Sequence, residues 1–228
     1  MKVPIIIICW NNLSFIKNFI KQMINYPNPI ILLDNNSTYL PIFDYYKQIQ
    51  DDFPNKVKVI LLEHNYGHMV YNILEDKLPN LYILSDPDLQ LNPEMPQNFA
   101  EIMINLSDKY NVYKIGAALD ISDSEYFIDC DNYTHGKNIY NWEYQFWTNL
   151  IPNDNYELYN AEIDTTFCLI NTKYKNNNNS NIRIAGNFTA KHLPWYKNYI
   201  KDNTPKDEIE HWKQNNKSSS ILWSCLQL

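Results

Sequence analysis

Two aspartates separated by one proline are the clearest candidates for chemistry in this sequence. The segment Asp86-Pro87-Asp88 directly follows a short apolar run. On an extended segment, residues i and i+2 face the same side, and a proline favours extended backbone in the residue before it. Two converging carboxylates suit a hard divalent cation, Mn²⁺ or Mg²⁺, that also binds a diphosphate. The spacing therefore predicts a metal site at this segment.

A third acidic residue, Asp34, ends an earlier apolar run. In many nucleotide-binding folds an acidic residue at this place contacts the ribose or base. The alternative is a side chain that caps the turn formed by Asn35, Asn36 and Ser37. The sequence contains neither a G-x-G-x-x-G motif nor a P-loop, so we expect phosphates to be held through the metal. This argues against a hydride-transfer enzyme and against a P-loop kinase.

Two segments in the second half could supply a base and a further metal ligand. Glu162 and Asp164 share one face if their segment is extended, and either could take a proton from an attacking hydroxyl. The alternative is a carboxylate at a strand edge that threonine hydroxyls hold. His192 could complete a metal site through its neutral imidazole, although a lone histidine is more often structural or solvated.

These residues need a scaffold, and the apolar pattern of the first half predicts one. Strands are predicted over 3–10, 30–33, 57–62 and 81–84, and helices over 14–25, 42–53 and 69–78. This alternation predicts a Rossmann-like, mixed and mostly parallel sheet flanked by helices. Ligands bind beyond the carboxyl ends of the strands in such sheets. The residues that follow the four predicted strands are all polar.

The second half is less regular in its pattern. Helices are predicted over 93–110 and 139–150, and strands over 112–119, 163–170 and 182–185. The helix over 139–150 carries a stripe of aromatic residues, Trp142, Phe146 and Trp147. The stripe is either a helix face that packs in the core or the wall of a pocket for a sugar or another acceptor.

Composition excludes several classes of protein. The 228 residues are 45% hydrophobic and 14% aromatic, which predicts a folded rather than a disordered chain, and the length allows one domain or at most two small ones. The formal net charge of −7 argues against a nucleic-acid-binding protein. The longest apolar run is far shorter than the roughly 20 residues of a membrane span, so we expect no transmembrane segment and a cytoplasmic location. The four scattered cysteines are predicted to be reduced thiols.

Taken together, the motifs resemble those of the GT-A glycosyltransferases, in particular bacterial and giant-virus relatives of family 2. The blocks that carry the resemblance are Asn11-Asn12, Leu33-Asp34-Asn35-Asn36-Ser37-Thr38, Asn65-Tyr66-Gly67, Ser85-Asp86-Pro87-Asp88, Trp142-Glu143, Ile163-Asp164-Thr165-Thr166-Phe167 and Lys191-His192-Leu193-Pro194-Trp195-Tyr196. The last two are the most specific, because strings of that length rarely arise by chance. Two positions depart from the family pattern. Asn35 and Asn36 follow Asp34 where an acidic residue or glycine is usual, and Ile163 separates two acids that are usually adjacent.

The resemblance implies a single-domain GT-A fold over 1–228, with a nucleotide-sugar-binding half (1–110), an acceptor half (111–200) and a C-terminal tail (201–228). It implies transfer of a sugar from a nucleotide-sugar donor, with a UDP-sugar favoured, to a hydroxyl of a glycan, lipid-linked or protein acceptor. Inversion is favoured over retention, and Mn²⁺ or Mg²⁺ is the implied cofactor. The implied donor-binding residues are Trp10, Asn11, Asp34, Asn65 and Asp86. The implied metal ligands are Asp88, Asp86 and His192, the implied base is Asp164 with Glu162 as its rival, and the implied acceptor-binding residues are Trp142, Glu143 and Trp195.

Two other functions remain open at this stage. The first is a catalytically inactive carbohydrate-binding protein on the same scaffold, against which the presence of Asp86, Asp88, Asp164 and His192 argues. The second is a sugar nucleotidyltransferase, which would normally hold its triphosphate with a Gly-, Arg- and Lys-rich loop after the first strand. No basic residue stands after that strand before Lys17.

Overall fold

The computed structural model describes residues 2–131, 133–177 and 180–215. The strands are β1 (Ile5–Cys9), β2 (Ile30–Asp34), β3 (Val57–Leu61), β4 (Leu81–Ser85), β5 (Leu89–Leu91), β6 (Lys114–Ala117), β7 (Leu150–Ile151), β8 (Leu158–Asn160), β9 (Cys168–Asn171), β10 (Ile182–Ile184) and β11 (Ala190–His192). The α-helices are α1 (Leu13–Met23), α2 (Pro41–Asp52), α3 (Val70–Ile73), α4 (Phe99–Tyr110), α5 (Ile139–Tyr144), α6 (Tyr199–Asn203) and α7 (Lys206–Asn215).

Nine of these strands form one sheet in the order β3-β2-β1-β4-β9-β6-β10-β8-β7, and β11 pairs with β5 in a separate ribbon. The first four strands pair in parallel, with β1 between β2 and β4. β9 runs antiparallel to β4 and β6, and β8 runs antiparallel to β10 and β7. The predicted mixed, mostly parallel sheet is therefore confirmed.

The first strand is apolar throughout because both of its faces are covered. Ile5, Ile7 and Cys9 lie in one hydrophobic cluster, together with the apolar stripe of α1. Ile6 and Ile8 point to the other side, where they pack in a second cluster. Side chains alternate between the faces of a strand, so a sheet covered on both faces needs an unbroken apolar run.

Four predicted elements differ from the structure by more than a few terminal residues. Helix α4 begins at Phe99 and not at Pro93, because prolines at 93 and 96 disfavour helical backbone in the residues before them. The predicted helix over 69–78 divides into α3 and a 3₁₀ turn, and that over 139–150 ends as α5 and a 3₁₀ turn. The predicted strand over 163–170 begins only at Cys168. Phe167 has a φ of 27°, which is incompatible with a continuing strand.

The segment predicted to be a C-terminal tail continues as packed helix as far as residue 215. Helix α7 is polar, and of its residues only Glu208 and Trp212 are buried. The Trp212 ring stacks on Phe15 at a centroid distance of 6.0 Å. The Glu208 carboxylate accepts hydrogen bonds from the backbone N–H (3.0 Å) and hydroxyl (2.6 Å) of Ser14, in the first turn of α1. The apolar residues 221–223, predicted to pack, lie outside the described residues.

The described cysteines differ in their bonding state. Cys9 and Cys168 are free and buried, as expected. Cys130 is disulfide-bonded, so the prediction of reduced thiols is wrong for this residue. The spacing of scattered cysteines does not show which of them the fold brings together.

In the part of the chain that the structure describes, we find no helix with the length and apolar character needed to cross a membrane.

Gly116 in β6 is the glycine whose replacement should cost the most stability. A Cβ built there would lie 2.5 Å from the Cβ of Cys168 and 2.7 Å from the carbonyl oxygen of Phe167. We expect Gly116→Ala to lower the free energy of unfolding by about 3 kcal/mol, since the rigid backbone of β9 cannot move away. Gly67→Ala is the matched control. Apart from its neighbours in the chain, no described residue has a heavy atom within 4 Å of the added methyl group, and only the left-handed backbone should cost about 1–2 kcal/mol. Chemical denaturation measures both, and equal losses would contradict the steric account.

Candidate functional site

Asp88 and His192 are brought side by side by the β5–β11 ribbon. His192 is paired with Leu89, and the Leu193 N–H donates to the carbonyl oxygen of Asp88 at 2.9 Å. The imidazole Nε2 of His192 lies 3.3 Å from Oδ2 of Asp88. Asp88 Oδ1 and His192 Nδ1 are both buried and have no hydrogen-bond partner among the described residues. The facing atoms Oδ2 and Nε2 are an oxygen and an imidazole nitrogen, which is the kind of donor pair that suits a divalent cation. The unpaired Oδ1 and Nδ1 show that the polar capacity of this pair is not used up by the described residues.

Asp86, the other aspartate of the motif, is held by the segment that carries Asp164. The Thr165 hydroxyl donates to Oδ2 of Asp86, and the Asp86 N–H donates to the Thr165 carbonyl at 3.1 Å. Burial raises the pKa of Asp86 well above its usual value, and the neighbouring charge of Asp88 raises it further. No three His, Cys, Asp or Glu side chains within 2–131, 133–177 and 180–215 are grouped as a metal cluster. The structure thus brings together two of the three predicted metal ligands.

Glu162 and Asp164 lie on the same exposed side of their segment, as expected for extended backbone. They alternate with the buried residues Ala161, Ile163 and Thr165. The Glu162 carboxylate accepts a hydrogen bond from Asn181 at 2.8 Å. The Asp164 carboxylate makes no hydrogen bond with the described part of the chain. Its negative charge is close enough to Asp86 to contribute to the raised pKa of that residue. Of the two predicted candidates for the base, Asp164 is therefore the one left free beside the metal motif.

The side chains of Asp34 and Asn11 face inward, where they form hydrogen bonds that hold the segment after β2. The Asp34 carboxylate is 1% exposed and accepts hydrogen bonds from the Ser37 N–H, the Ser37 hydroxyl and the Tyr46 hydroxyl at 2.6–2.8 Å. This is the turn-capping alternative that the sequence left open. The Asn11 side-chain oxygen accepts from the backbone N–H groups of Thr38 and Tyr39, at 2.7 and 2.9 Å. Neither side chain presents a free polar atom to a nucleotide, so their predicted contact with the donor is not supported by this geometry.

The other donor-binding candidates lie at the same edge of the sheet with more exposure. Trp10 is half-buried, and Asn65 is exposed in the loop after β3. The Asn65 side chain accepts from the Gly67 N–H at 2.8 Å. Asn35 fixes this loop to the end of β2, because its side chain bonds to the Tyr66 N–H (2.8 Å) and the Gly67 carbonyl (2.9 Å). Trp10 and Asn65 thus remain available to a ligand.

Two of the three acceptor-binding candidates are in the interior. Glu143 is buried and forms an ion pair with Arg183. Its burial raises its pKa to about 7, against the opposing effect of Arg183. Trp195 is also buried, and its ring lies 4.8 Å from that of His192. Burial leaves Glu143 and Trp195 no surface for an acceptor, whereas Trp142 is half-buried.

The same helix carries exposed aromatic residues that the sequence reasoning missed. Tyr140 and Tyr144 are 38% and 50% exposed, and their rings stack at a centroid distance of 5.7 Å. Their spacing of four residues, which places them on one helix face, was the signal that could have indicated them. The three residues of the predicted aromatic stripe, Trp142, Phe146 and Trp147, are all half-buried, and the two tyrosines add an exposed aromatic pair beside them.

A comparison of the whole structure with solved structures identifies the fold. The structure of GalNAc-T7 with UDP, GalNAc and Mn²⁺ matches 88% of this chain with a TM-score of 0.58 at 10% sequence identity. This chain has a GT-A fold. It spans about half of the GalNAc-T7 chain, with 48% of that chain covered.

Other similar structures cover less of this chain. A mannosyltransferase from Pyrobaculum calidifontis, PcManGT, in complex with GDP-Man and Mn²⁺ matches 54% of this chain and 36% of its own, at 12% identity and a TM-score of 0.44. Residues 1–349 of S. aureus TarS match 53% of this chain and 36% of their own, at 18% identity and a TM-score of 0.39. No protein-family model and no curated protein sequence matches the chain.

The GT-A sheet and its ribbon gather three kinds of group near the end of β4. The Asp88–His192 pair offers two metal-binding atoms, Asp86 is fixed through Thr165, and Asp164 offers a free carboxylate. Oxygen and imidazole ligands suit Mn²⁺ or Mg²⁺, and a free carboxylate can accept a proton from a hydroxyl. The arrangement therefore offers ligand atoms of the kind that suits a divalent cation, with a carboxylate of the kind that suits proton transfer beside them.

Proposed function

We propose that this protein is a metal-dependent glycosyltransferase that moves a sugar from a nucleotide-sugar donor to a hydroxyl of a glycan, lipid-linked or protein acceptor, with inversion. One observation carries the proposal. Asp88 and His192 lie together at the end of a GT-A sheet, each with a buried polar atom that lacks a partner in the described chain. UDP and Mn²⁺ are the first ligands to test, because both are named in the similar GalNAc-T7 structure.

Asp164 is proposed to act as the base. Its carboxylate takes the proton from the acceptor hydroxyl, whose oxygen attacks the anomeric carbon from the side opposite the diphosphate. The bond between that carbon and the diphosphate oxygen breaks, so the configuration at the carbon inverts. A positioned base of this kind contributes typically about 10²–10⁴ in rate. Asp88 and His192 would hold Mn²⁺ or Mg²⁺, which supplies positive charge that stabilises the leaving diphosphate.

The acceptor is proposed to bind beside α5. The half-buried Trp142 keeps its place as a candidate, and the exposed pair Tyr140 and Tyr144 extends the aromatic surface. Tyrosine and tryptophan offer an apolar face with a polar tip, which suits partners that are apolar on one side and hydroxylated on the other. Glu143 is left out of this surface because it is buried against Arg183.

A thermal-shift screen tests donor binding directly. The protein is melted with UDP, GDP, dTDP and CDP, each with and without Mn²⁺. A nucleotide at about 100 times its Kd stabilises the folded state by about 2.7 kcal/mol, which raises Tm by a few degrees. We expect a shift with one nucleotide, UDP first, and only when Mn²⁺ is present. The absence of a shift with all four would contradict donor binding.

His192 gives a prediction of its own. Losing a residue that only supports a metal ligand typically weakens metal binding by about 10- to 100-fold. We expect His192→Ala to weaken Mn²⁺ binding by more than this. The reason is that it removes an imidazole beside Asp88 while the ribbon backbone stays paired. The exposed His135 supplies the control variant, His135→Ala. Mn²⁺ titration by calorimetry in the presence of UDP measures both, and equal affinities would make His192 a structural residue.

A further inference from the structure

The segment 162–165, which carries Asp164, is held by its backbone although it belongs to no strand or helix. Each of its four carbonyl oxygens accepts a hydrogen bond. The donors are Arg183 Nε to Glu162 (2.8 Å), Lys114 Nζ to Ile163 (3.1 Å) and to Asp164 (3.0 Å), and the Asp86 N–H to Thr165 (3.1 Å). Two buried cations therefore hold three consecutive carbonyls that a strand ladder would otherwise satisfy.

Lys114 is placed in the interior without a carboxylate partner. It is 7% exposed at the start of β6, and no Asp or Glu of the described chain lies within salt-bridge distance of it. Its third hydrogen bond goes to the Tyr71 hydroxyl at 3.1 Å. Burial alone lowers the pKa of Lys114, but the Tyr71 hydrogen bond and the charge of Asp164 contribute to a net rise. A buried ammonium is costly unless its donors are used, and here two of them hold the backbone of the segment.

Arg183 holds the start of the same segment from the neighbouring strand. It is the only arginine in the sequence and is 4% exposed. Its guanidinium pairs with Glu143 on α5 and lies 4.2 Å from the ring centroid of Phe146. Its Nε is directed to Glu162 O and not to a carboxylate. Arg183 thereby connects the aromatic helix to the segment that carries Asp164.

We propose that Lys114 and Arg183 are positioning residues, which hold the backbone of 162–164 so that the Asp164 carboxylate stays beside Asp86 and Asp88. The inference rests on the proposed function, in which Asp164 is the base. A base must lie within hydrogen-bond reach of the proton it removes, and a misplacement of about 1 Å can cost about 10²-fold in rate. A segment without a strand ladder needs such fixed points, and these two side chains provide them.

Replacement of Lys114 by methionine, which keeps length and removes the ammonium, tests this role. We expect Lys114→Met to lower kcat by about 100-fold and to change the donor KM by less than about threefold, since Asp88 and His192 are untouched. In an Asp164→Asn background the same change should add no further loss, because the base it positions is already absent. Tyr71→Phe is the control, since it removes only the third partner of Lys114. An equal loss of kcat in both backgrounds would overturn the positioning role.

A second readout does not depend on turnover. The Asp86 N–H donates to the Thr165 carbonyl, so its hydrogen exchange reports on the position of the segment. We expect this exchange to become at least about tenfold faster in Lys114→Met, while the Ile5 N–H in β1, bonded to Pro29 at 2.8 Å, keeps its rate. If Lys114→Met does not fold, Arg183→Lys gives the same test, because it removes the Nε donor to Glu162. Unchanged exchange at Asp86 would overturn the inference, even if the wild-type protein transfers no sugar and the proposed function fails.

Discussion

Replacing Asp88 by alanine should abolish the metal-linked part of donor binding. Asp88 supplies the carboxylate of the Asp88–His192 pair, and its Oδ1 is buried without a partner in the described residues. Without it, the metal loses a charged ligand and the diphosphate loses its main counter-charge. We expect the affinity for nucleotide in the presence of Mn²⁺ to fall at least 100-fold, or by about 2.7 kcal/mol. Calorimetric titration of nucleotide with and without Mn²⁺ measures this difference.

The chain contains a matched control for that experiment. Asp129 belongs to the second Asp-x-Asp pair of the sequence, and its side chain is 93% exposed. Its salt bridge to Lys197 at 3.5 Å is solvated and contributes little to stability. Asp129→Ala should leave Mn²⁺-linked binding unchanged. If Asp88→Ala also leaves it unchanged, Asp88 is not a metal ligand.

Replacing Asp164 by asparagine should remove turnover and keep donor binding. The amide retains the size of the carboxylate but cannot accept the proton of the acceptor hydroxyl. We expect kcat to fall by about 10²–10⁴, with the affinity for nucleotide and Mn²⁺ within a factor of about two of the wild type. Single-turnover transfer measures the rate, and calorimetry measures the affinity.

Glu162 provides the comparison for this prediction. It lies on the same exposed side as Asp164, but its carboxylate is bonded to Asn181. Glu162→Gln should therefore lower kcat by less than about tenfold, against the much larger loss for Asp164→Asn. The reverse order of losses would assign the base to Glu162.

The sheet could be predicted from the sequence because its signal is local. Each of the first four strands is a short apolar run, and each is followed by a helix-spaced segment or a polar turn. The β5–β11 ribbon could not be predicted in this way. Its strands have three residues each and about 100 residues separate them, so nothing local indicates their register. That register places His192 beside Asp88. The sequence supported this pairing only through resemblance.

Side-chain direction was the main limit for the site. Asp34 and Asn11 stand where a nucleotide-binding fold places its ligands, yet both turn inward. Their partners include Tyr46 on α2 and the backbone of Thr38 and Tyr39, which the sequence does not show to be within reach. Glu143 was likewise named only through the resemblance, and its ion-pair partner, Arg183, lies on a strand 40 residues further along the chain.

The rarity of Arg183 was the one usable sign of a buried role. A sequence that uses arginine at a single position indicates that this position needs its guanidinium. Lys114 gave no such sign, because a lysine near one end of a predicted strand is usually interpreted as a solvated residue. Only the fold shows that it reaches the carbonyls of Ile163 and Asp164.

Release of nucleoside diphosphate from a nucleotide sugar tests the central claim most directly. The donor is chosen from the nucleotide that raises Tm with Mn²⁺, and hydroxyl acceptors are offered as a panel of glycans. The account predicts release that needs both Mn²⁺ and an acceptor, with equal sugar transferred, and that disappears with a chelator and in Asp88→Ala. Glycan binding without release from any nucleotide sugar would contradict it and would make the protein an inactive carbohydrate-binding module on a GT-A scaffold.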